Sequence, residues 1–391
     1  MGVSIDVAWK SLNKHQEELC GDKVEILKTD DSDIVILADG MGSGVKANIL
    51  ATLTSKILGT MLQEGAALES CVETVARTLP ICKVRNTAYA TFSILQIFHS
   101  AEAYLVEFDN PSCVFIRDGK IINYPYETRE IAGKKIHEYR FTVKKNDCFV
   151  LMSDGVIYAG AGAILDLDGW TWDAMAQYTL KCTKQTLSAS RLAVMLSQAC
   201  SELYEEKPGD DTTIAVARVI ERRIVNIFTG PPAKKEDDER LMHDFIHSEG
   251  KKVVAGGTSA NIAARVLGKE IVTKADTSRT DVPPMASIDG IDLVTEGVLT
   301  LGKSLKLLKK YVRGEFDAEF FDELDADNGA SRLAKLLIEE CTELNLFVGT
   351  AVNAAHKETA LNFDLSMRQN LIEQLMRTAE EMGKTVKAAY Y

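Results

Sequence analysis

The sequence predicts two units in tandem. The first is an α+β sandwich of two antiparallel sheets flanked by helices, and the second is an α/β domain with a mostly parallel sheet. In the first half, short apolar runs alternate like antiparallel strands, with helices inserted among them. In the second half, strand-like and helix-like segments alternate one for one, the rhythm of a sheet covered by helices. Between them lies VIERRIVNIFTGPPAKKEDDER (219–240), where a strand-like run ends, charges follow, and a new strand IVNIF is broken by Pro231-Pro232. The domains expected from this seam are 1–222 and 223–391, in keeping with roughly 100–200 residues per domain.

DIVILADG (33–40) is a short run rich in β-branched residues that ends in a turn, and reads as a buried strand. Residues 45–63 follow with Val45, Ile49, Leu50, Leu53, Ile57 and Leu58 at helical spacing, and a second helix is expected over about 67–79. YATFSILQIF, EAYLVEFD and SCVFIRDGKIINY then alternate as antiparallel strands, with Asp118-Gly119 as a hairpin turn. KNDCFVLMSDG is a further strand ending in a loop. Residues 170–204 read as mostly helical, and DTTIAVARVI closes the half as a strand. In the second half IVNIF, KKVVAGG, KEIVTKA, IDLVTEG, LNLFVGT and KTVKAAYY are expected strands. The helices between them include SANIAARVLG, LTLGKSLKLLKKYV and SRLAKLLIEEC.

Composition narrows the functional classes. The chain has 391 residues, is 46% hydrophobic and 26% charged, which excludes wholesale disorder, collagen-like repeats and a disulfide miniprotein. Lys+Arg 45 against Asp+Glu 57 leaves a net charge of −12, which repels nucleic-acid backbones and argues against general nucleic-acid binding. No apolar run reaches the roughly 18 residues of a membrane span. MGVSIDVAWKSLNK has no signal-peptide core, so a cytoplasmic protein without membrane association is expected. The eight cysteines form no CxxC pair and sit mostly in apolar runs, as buried reduced thiols do.

Four acidic sites share one context. Asp39 and Asp154 each follow an apolar strand and precede glycine. Asp210 and Asp211 immediately precede TTIAVARV, and Asp22 opens the strand in CGDKVEIL. Aspartates at strand ends are able to converge over one edge of a sandwich, where clustered carboxylates need a cation in order to stay ionised together. Each Asp-Gly pair read singly is equally a turn.

DIVILADGMGSG before a helix, CGD upstream, MSDG after a later strand and GDDTT entering the last one together resemble the metal-dependent protein phosphatase (PPM) family. The stage II sporulation protein E (SpoIIE) branch is the nearest, over about residues 4–220. The resemblance implies a PPM-type α-β-β-α sandwich and a binuclear centre of two Mn²⁺ or Mg²⁺ ions between the sheets. Its ligands would be Asp22, Asp39, the Gly40 carbonyl, Asp154 and Asp210, with Asp211 in a supporting place. Asp39 and Asp154 would act through metal-bound water on phosphoserine or phosphothreonine of a regulatory protein, such as an anti-anti-sigma-like one. In that branch the helices after the DGMGSG loop are tied to activation, so a switch in residues 45–79 is open, against fixed core packing.

Residues 223–391 resemble no recognised family. KKVVAGGTSANIAARVLG would place Gly256, Gly257, Thr258 and Ser259 at a helix start, a candidate site for a small anion, with Gly230 and Gly349 beside it. The same residues also suit an ordinary turn and cap. Ligand binding, docking or dimerisation, and a spacer role all stay open for this half. The rival to a phosphatase is a non-catalytic signalling protein whose second half senses a ligand or partner.

Overall fold

The computed structural model describes residues 3–79, 90–165, 167–273, 285–351 and 361–391. The chain divides into two compact units, Met1–Glu221 and Arg222–Tyr391.

The first unit runs β1 Val3–Leu12, β2 Asp22–Lys28, β3 Ser32–Gly40, α1 Gly44–Gln63, α2 Leu68–Thr78, β4 Ala90–Phe98 and β5 Glu102–Phe108. It continues β6 Val114–Arg117, β7 Lys120–Ile121, β8 Glu127–Ile131, β9 Lys134–Thr142, β10 Cys148–Met152, α3 Asp154–Ile157, α4 Trp172–Cys182, α5 Ala189–Leu203 and β11 Thr212–Glu221. One sheet has the order β1-β11-β10-β6-β7 and the other β2-β3-β4-β5-β9-β8. Every pairing in both is antiparallel.

The unbroken apolar run of β3 has a direct cause: both faces of this strand are buried. Val35 and Leu37 point into the layer between the sheets, with Leu95 and Leu105 beside them and Phe149, Leu151 and Ala217 from the other sheet. Ile34, Ile36 and Ala38 point the other way, onto Leu50 and Leu58 of α1 and Cys71 and Val72 of α2. A strand buried on both sides has no polar alternation to show. On the far side α5 covers β1 and β11. The layers are therefore helix, sheet, sheet, helix, as the sequence predicts.

The second unit runs β12 Ile224–Thr229, a single 3₁₀ turn at Lys235–Asp237, α6 Asp238–His247, β13 Lys251–Ala255, α7 Gly257–Leu267, β14 Val272–Thr273, β15 Ala286–Ser287 and β16 Leu293–Thr295. It ends α8 Val298–Val312, α9 Ala318–Leu324, α10 Gly329–Glu339, β17 Glu343–Val348, α11 Leu361–Glu381 and β18 Thr385–Tyr390. The sheet order is β14-β15-β16-β13-β12-β17-β18. From β16 to β18 all neighbours are parallel, and only β14 and β15 are antiparallel. Phe228, Val254, Ile262, Phe245 and Phe347 form one face of its core.

Several elements carry no clear sequence signal, β1 and α9 among them. β1 buries few side chains fully and lacks a clean two-residue alternation, yet all ten of its residues pair with β11. α9 has only seven residues, too few to show a period, and its start is set by Asp317 Oδ1 accepting from Phe320 N at 2.9 Å.

Phe149 is fully buried between the sheets and stacks on Phe115 at 4.4 Å. Phe149→Ala is expected to cost about 3–5 kcal/mol of unfolding free energy in urea titration, from lost burial and the cavity left behind. A loss below about 1 kcal/mol would mean that this layer is not the core of the unit.

Candidate metal centre

The strand register brings the first two aspartates together. Asp22, the first residue of β2, pairs directly with Asp39, the penultimate residue of β3. Directly opposed like charges on neighbouring strands are destabilising unless something offsets them. Gly40 lets the next turn come close. Its N–H donates to Gly21 O at 3.1 Å, and a Cβ there would meet Ala47 O of α1 at 2.0 Å. The start of α1 is thereby held against the aspartate pair.

The other sheet brings the remaining acids. Asp154 follows β10 as the first residue of α3, while Asp210 and Asp211 precede β11. The two strand ends are tied by Ser153 N donating to Thr213 O at 3.0 Å and Thr213 N donating to Ser153 Oγ at 2.8 Å.

Asp22 is 4% exposed, and neither of its carboxylate oxygens has a hydrogen-bond partner. The Ser153 and Thr213 hydroxyls lie beside it, and Thr213 Oγ1 is shared with Ser11 Oγ at 2.8 Å. Burial pushes the Asp22 carboxyl up to about 7; those hydroxyls temper the shift, and the charges of Asp211 and Asp154 add to it. Asp39 is pushed up to about 9, first by burial and then by the charges of Asp22, Asp154, Asp210 and Asp211. Asp154 is raised by burial and by Asp210. Carboxylates brought from four chain segments thus share one electrostatic neighbourhood.

Asp210 and Asp211 differ in burial and in partners. Asp211, expected in a supporting place, is the buried one: Oδ1 accepts from Lys14 N at 3.0 Å, and Oδ2 is buried without a partner. A Cβ on Gly21 would stand 2.7 Å from that oxygen, so the Asp211 side chain points toward the turn that opens β2. Asp210, expected as a ligand, is half-exposed; its Oδ1 accepts from Asp211 N at 3.0 Å and lies 3.6 Å from Lys14 Nζ.

Among the described residues no three His, Cys, Asp or Glu side chains stand close enough to form a ready metal cage. In kind the donors nevertheless fit a hard divalent cation: all are anionic oxygens, and three buried lone-pair-bearing atoms, both of Asp22 and Oδ2 of Asp211, are unsatisfied. Buried polar atoms without partners are the exception in folded proteins and ask for a missing group. The described cysteines offer no competing nucleophile. All seven are unpaired, and burial pushes the Cys148 thiol up to about 11 and Cys200 up to about 12. Cys82 lies outside the described residues.

In the second unit, β12, β13 and β17 are parallel neighbours that end level, with Thr229 opposite both Ala255 and Val348. Gly230, Gly256 and Gly349 therefore follow at one edge. Gly256 has φ 123° and its N–H donates to Thr295 O at 2.9 Å, while Gly257 and Thr258 are exposed. The Ser259 hydroxyl does not face outward as a ligand group would: it is buried and accepts from Gly230 N at 2.8 Å. Arg368 of α11 also reaches this edge, with Nη2 donating to Gly349 O at 3.3 Å and Ala351 O at 3.2 Å. Nothing in the sequence near the glycine loops points to Arg368, since it arrives from a later helix. Among the described residues no helix is long and apolar enough to cross a membrane.

The raised carboxyls set the sign of a pH effect. A group that binds its proton more tightly in the folded than the unfolded chain destabilises the fold as pH rises through that window. Without divalent ions, the melting temperature is expected to fall as pH rises from about 4 to about 9, the span from ordinary carboxylates to Asp39. Mn²⁺ should reverse the fall, with protons released on binding in calorimetry. Asp22→Asn should flatten the metal-free profile; an unchanged profile would show that this carboxyl is not held protonated.

Residues 29–220 match the family described as Stage II sporulation protein E (SpoIIE). No curated protein matches the chain. Among solved structures, the PP2C phosphatase domain and regulatory-domain fragment of SpoIIE from Bacillus subtilis aligns at 17% identity and TM-score 0.48, over 56% of this chain and 64% of that one. The RsbU and RsbW domains of Rv1364c from Mycobacterium tuberculosis align at 17% and 0.47, over 62% of this chain and 68% of that one. RsbX in complex with magnesium aligns at 21% and 0.40, over 55% of this chain and 95% of that one. The first unit of this chain, with its two antiparallel sheets between helices, accordingly carries a SpoIIE-family domain over residues 29–220.

Proposed function

We propose that the first unit is a serine/threonine protein phosphatase that works with two Mn²⁺ or Mg²⁺ ions. The observation that carries this reading is Asp22, buried with both oxygens unpartnered directly across from Asp39. Asp22, Asp39, the Gly40 carbonyl, Asp154 and Asp210 would hold the ions, and the buried Oδ2 of Asp211 makes it a further donor. Such ions, when bound, supply a hydroxide near neutral pH and neutralise charge on a phosphoryl group attacked in line. The chain's own part is to fix the donors. The Ser153–Thr213 pair aligns the ends of β10 and β11, and the Gly40–Gly21 contact holds Asp39 beside Asp22. Lys14 Nζ beside Asp210 adds a positive charge at the rim. The substrate class is phosphoserine or phosphothreonine on a regulatory protein, anti-anti-sigma-like in the SpoIIE resemblance.

For the second unit we propose a regulatory role, with a small anionic ligand at the level ends of β12, β13 and β17. Ligands of open parallel sheets sit beyond the carboxyl ends of the strands, and the exposed Gly257 and Thr258 at the start of α7 present backbone N–H groups there.

Hydrolysis of a phosphoserine peptide should require Mn²⁺ or Mg²⁺ and stop with chelator. Asp39→Asn and Asp154→Asn should each lower turnover by roughly three powers of ten with the circular dichroism spectrum unchanged. Full activity in EDTA would overturn the reading and favour a non-catalytic signalling protein. For the second unit, phosphorylated metabolites should raise the melting temperature of the full chain, and Gly257→Val should weaken that shift more than Thr258→Ala. Equal effects of the two variants would remove the anion site.

A further inference from the structure

A cavity of about 460 Å³ opens in the first unit between β5 and β9 of one sheet and β6 and the segment after β7 of the other. That volume falls within the range of small-molecule sites, roughly 300–1,000 Å³. Its lining includes none of the aspartates of the candidate metal centre.

One wall is a ladder of nearly parallel rings. Phe115 lies 5.4 Å from Tyr124 with planes 18° apart, and Tyr124 lies 4.6 Å from Phe141 at 22°. Trp172 also lines the cavity, its indole fixed by Nε1 donating to Ser112 O at 2.7 Å. Among these rings sits one acid. Glu107 is 4% exposed; Oε1 accepts from Cys113 N at 2.6 Å and Oε2 from the Tyr139 hydroxyl at 2.8 Å. Both partners are neutral donors, and the Ser112 hydroxyl and the cross-strand His137 also favour the charged form. A carboxylate has about four acceptor positions, so these donors do not fill them all. Burial pushes this carboxyl upward, as expected where an acid is incompletely compensated.

Parallel rings favour a planar π system. A two-oxygen acceptor favours a pair of adjacent N–H donors in its own plane, as in bidentate carboxylate recognition. We propose that this cavity binds a small planar heteroaromatic ligand bearing adjacent N–H donors, with Glu107 as acceptor and the Phe115–Tyr124–Phe141 ladder as platform. Ile157 also lines the cavity, and it closes the short helix that Asp154 opens. The ligand therefore rests against the segment that carries Asp154.

The test is calorimetric titration of the full chain with 2-aminobenzimidazole, a flat ring with adjacent N–H donors. Benzothiazole, a similar ring without them, is the control. Saturable binding at least about ten-fold tighter than the control is expected, and Glu107→Gln should weaken it by about ten-fold or more. Asn123 lines the exposed rim, so Asn123→Trp should block the mouth and abolish binding while the circular dichroism spectrum stays unchanged. Three results would overturn the proposal: no saturable binding at low millimolar probe, equal affinity for the two rings, or unaltered binding by Asn123→Trp. The ring control and the rim variant decide the matter even if Glu107→Gln unfolds, since Glu107 also holds Cys113 N and the Tyr139 hydroxyl.

Discussion

Two carboxylates face each other across the β2–β3 register, one of them buried with no partner for either oxygen. The arrangement opposes folding by itself: burial disfavours the charge, and the like neighbour adds to the penalty. A chain can hold it only if the surrounding elements over-determine the geometry. β3 is clamped on both faces by apolar packing, and Gly40 allows α1 to approach to a distance at which a Cβ would collide with Ala47 O. The second sheet then brings three more carboxylates to the same neighbourhood, through β10 and β11 locked together at Ser153 and Thr213. Strain of this kind is characteristic of functional sites, where the rest of the fold compensates for it.

The same sandwich makes a second, different environment on other strands, β5, β6 and β9. The inter-sheet layer that is filled by Val35, Leu37 and Phe149 is not filled near Glu107, where rings line a cavity instead of closing it. Two settings of buried acids in this unit contrast. At the strand ends several gather among themselves, and at the cavity Glu107 lies among aromatic rings. The first setting suits a hard cation and the second a flat donor.

In the second unit the deciding feature is parallel register. β12, β13 and β17 end level, so three glycine-containing loops share one edge although they lie far apart in the chain. Gly256 at φ 123° and Gly230 at φ 79° adopt backbone conformations that other residues rarely take, which accounts for glycine at those two places. Ser259 contributes to that edge as a buried brace to Gly230 rather than as an outward hydroxyl.

Much of the architecture was legible in the sequence because it rests on local signals. The apolar run of β3, the helical spacing after Val45 and the strand–helix alternation beyond Ile224 each report burial along one element. The acidic residues at strand ends were legible as well, since Asp-Gly after an apolar run marks where a strand stops. Other features depend on partners remote in sequence. β1 is a strand because β11 pairs with all ten of its residues, which its own irregular pattern does not reveal. Whether Asp210 or Asp211 turns inward depends on Lys14 and Gly21, nearly two hundred residues upstream. The Glu107 cavity exists because rings from two strands, the segment after β7 and a helix fail to close on one another. Sequence by itself determined which segments are strands and helices and which residue types end them, because those follow from hydrophobic periodicity and turn chemistry. Only the tertiary structure decided which side chains share a space, because side-chain direction and packing are settled by contacts between segments far apart in the chain.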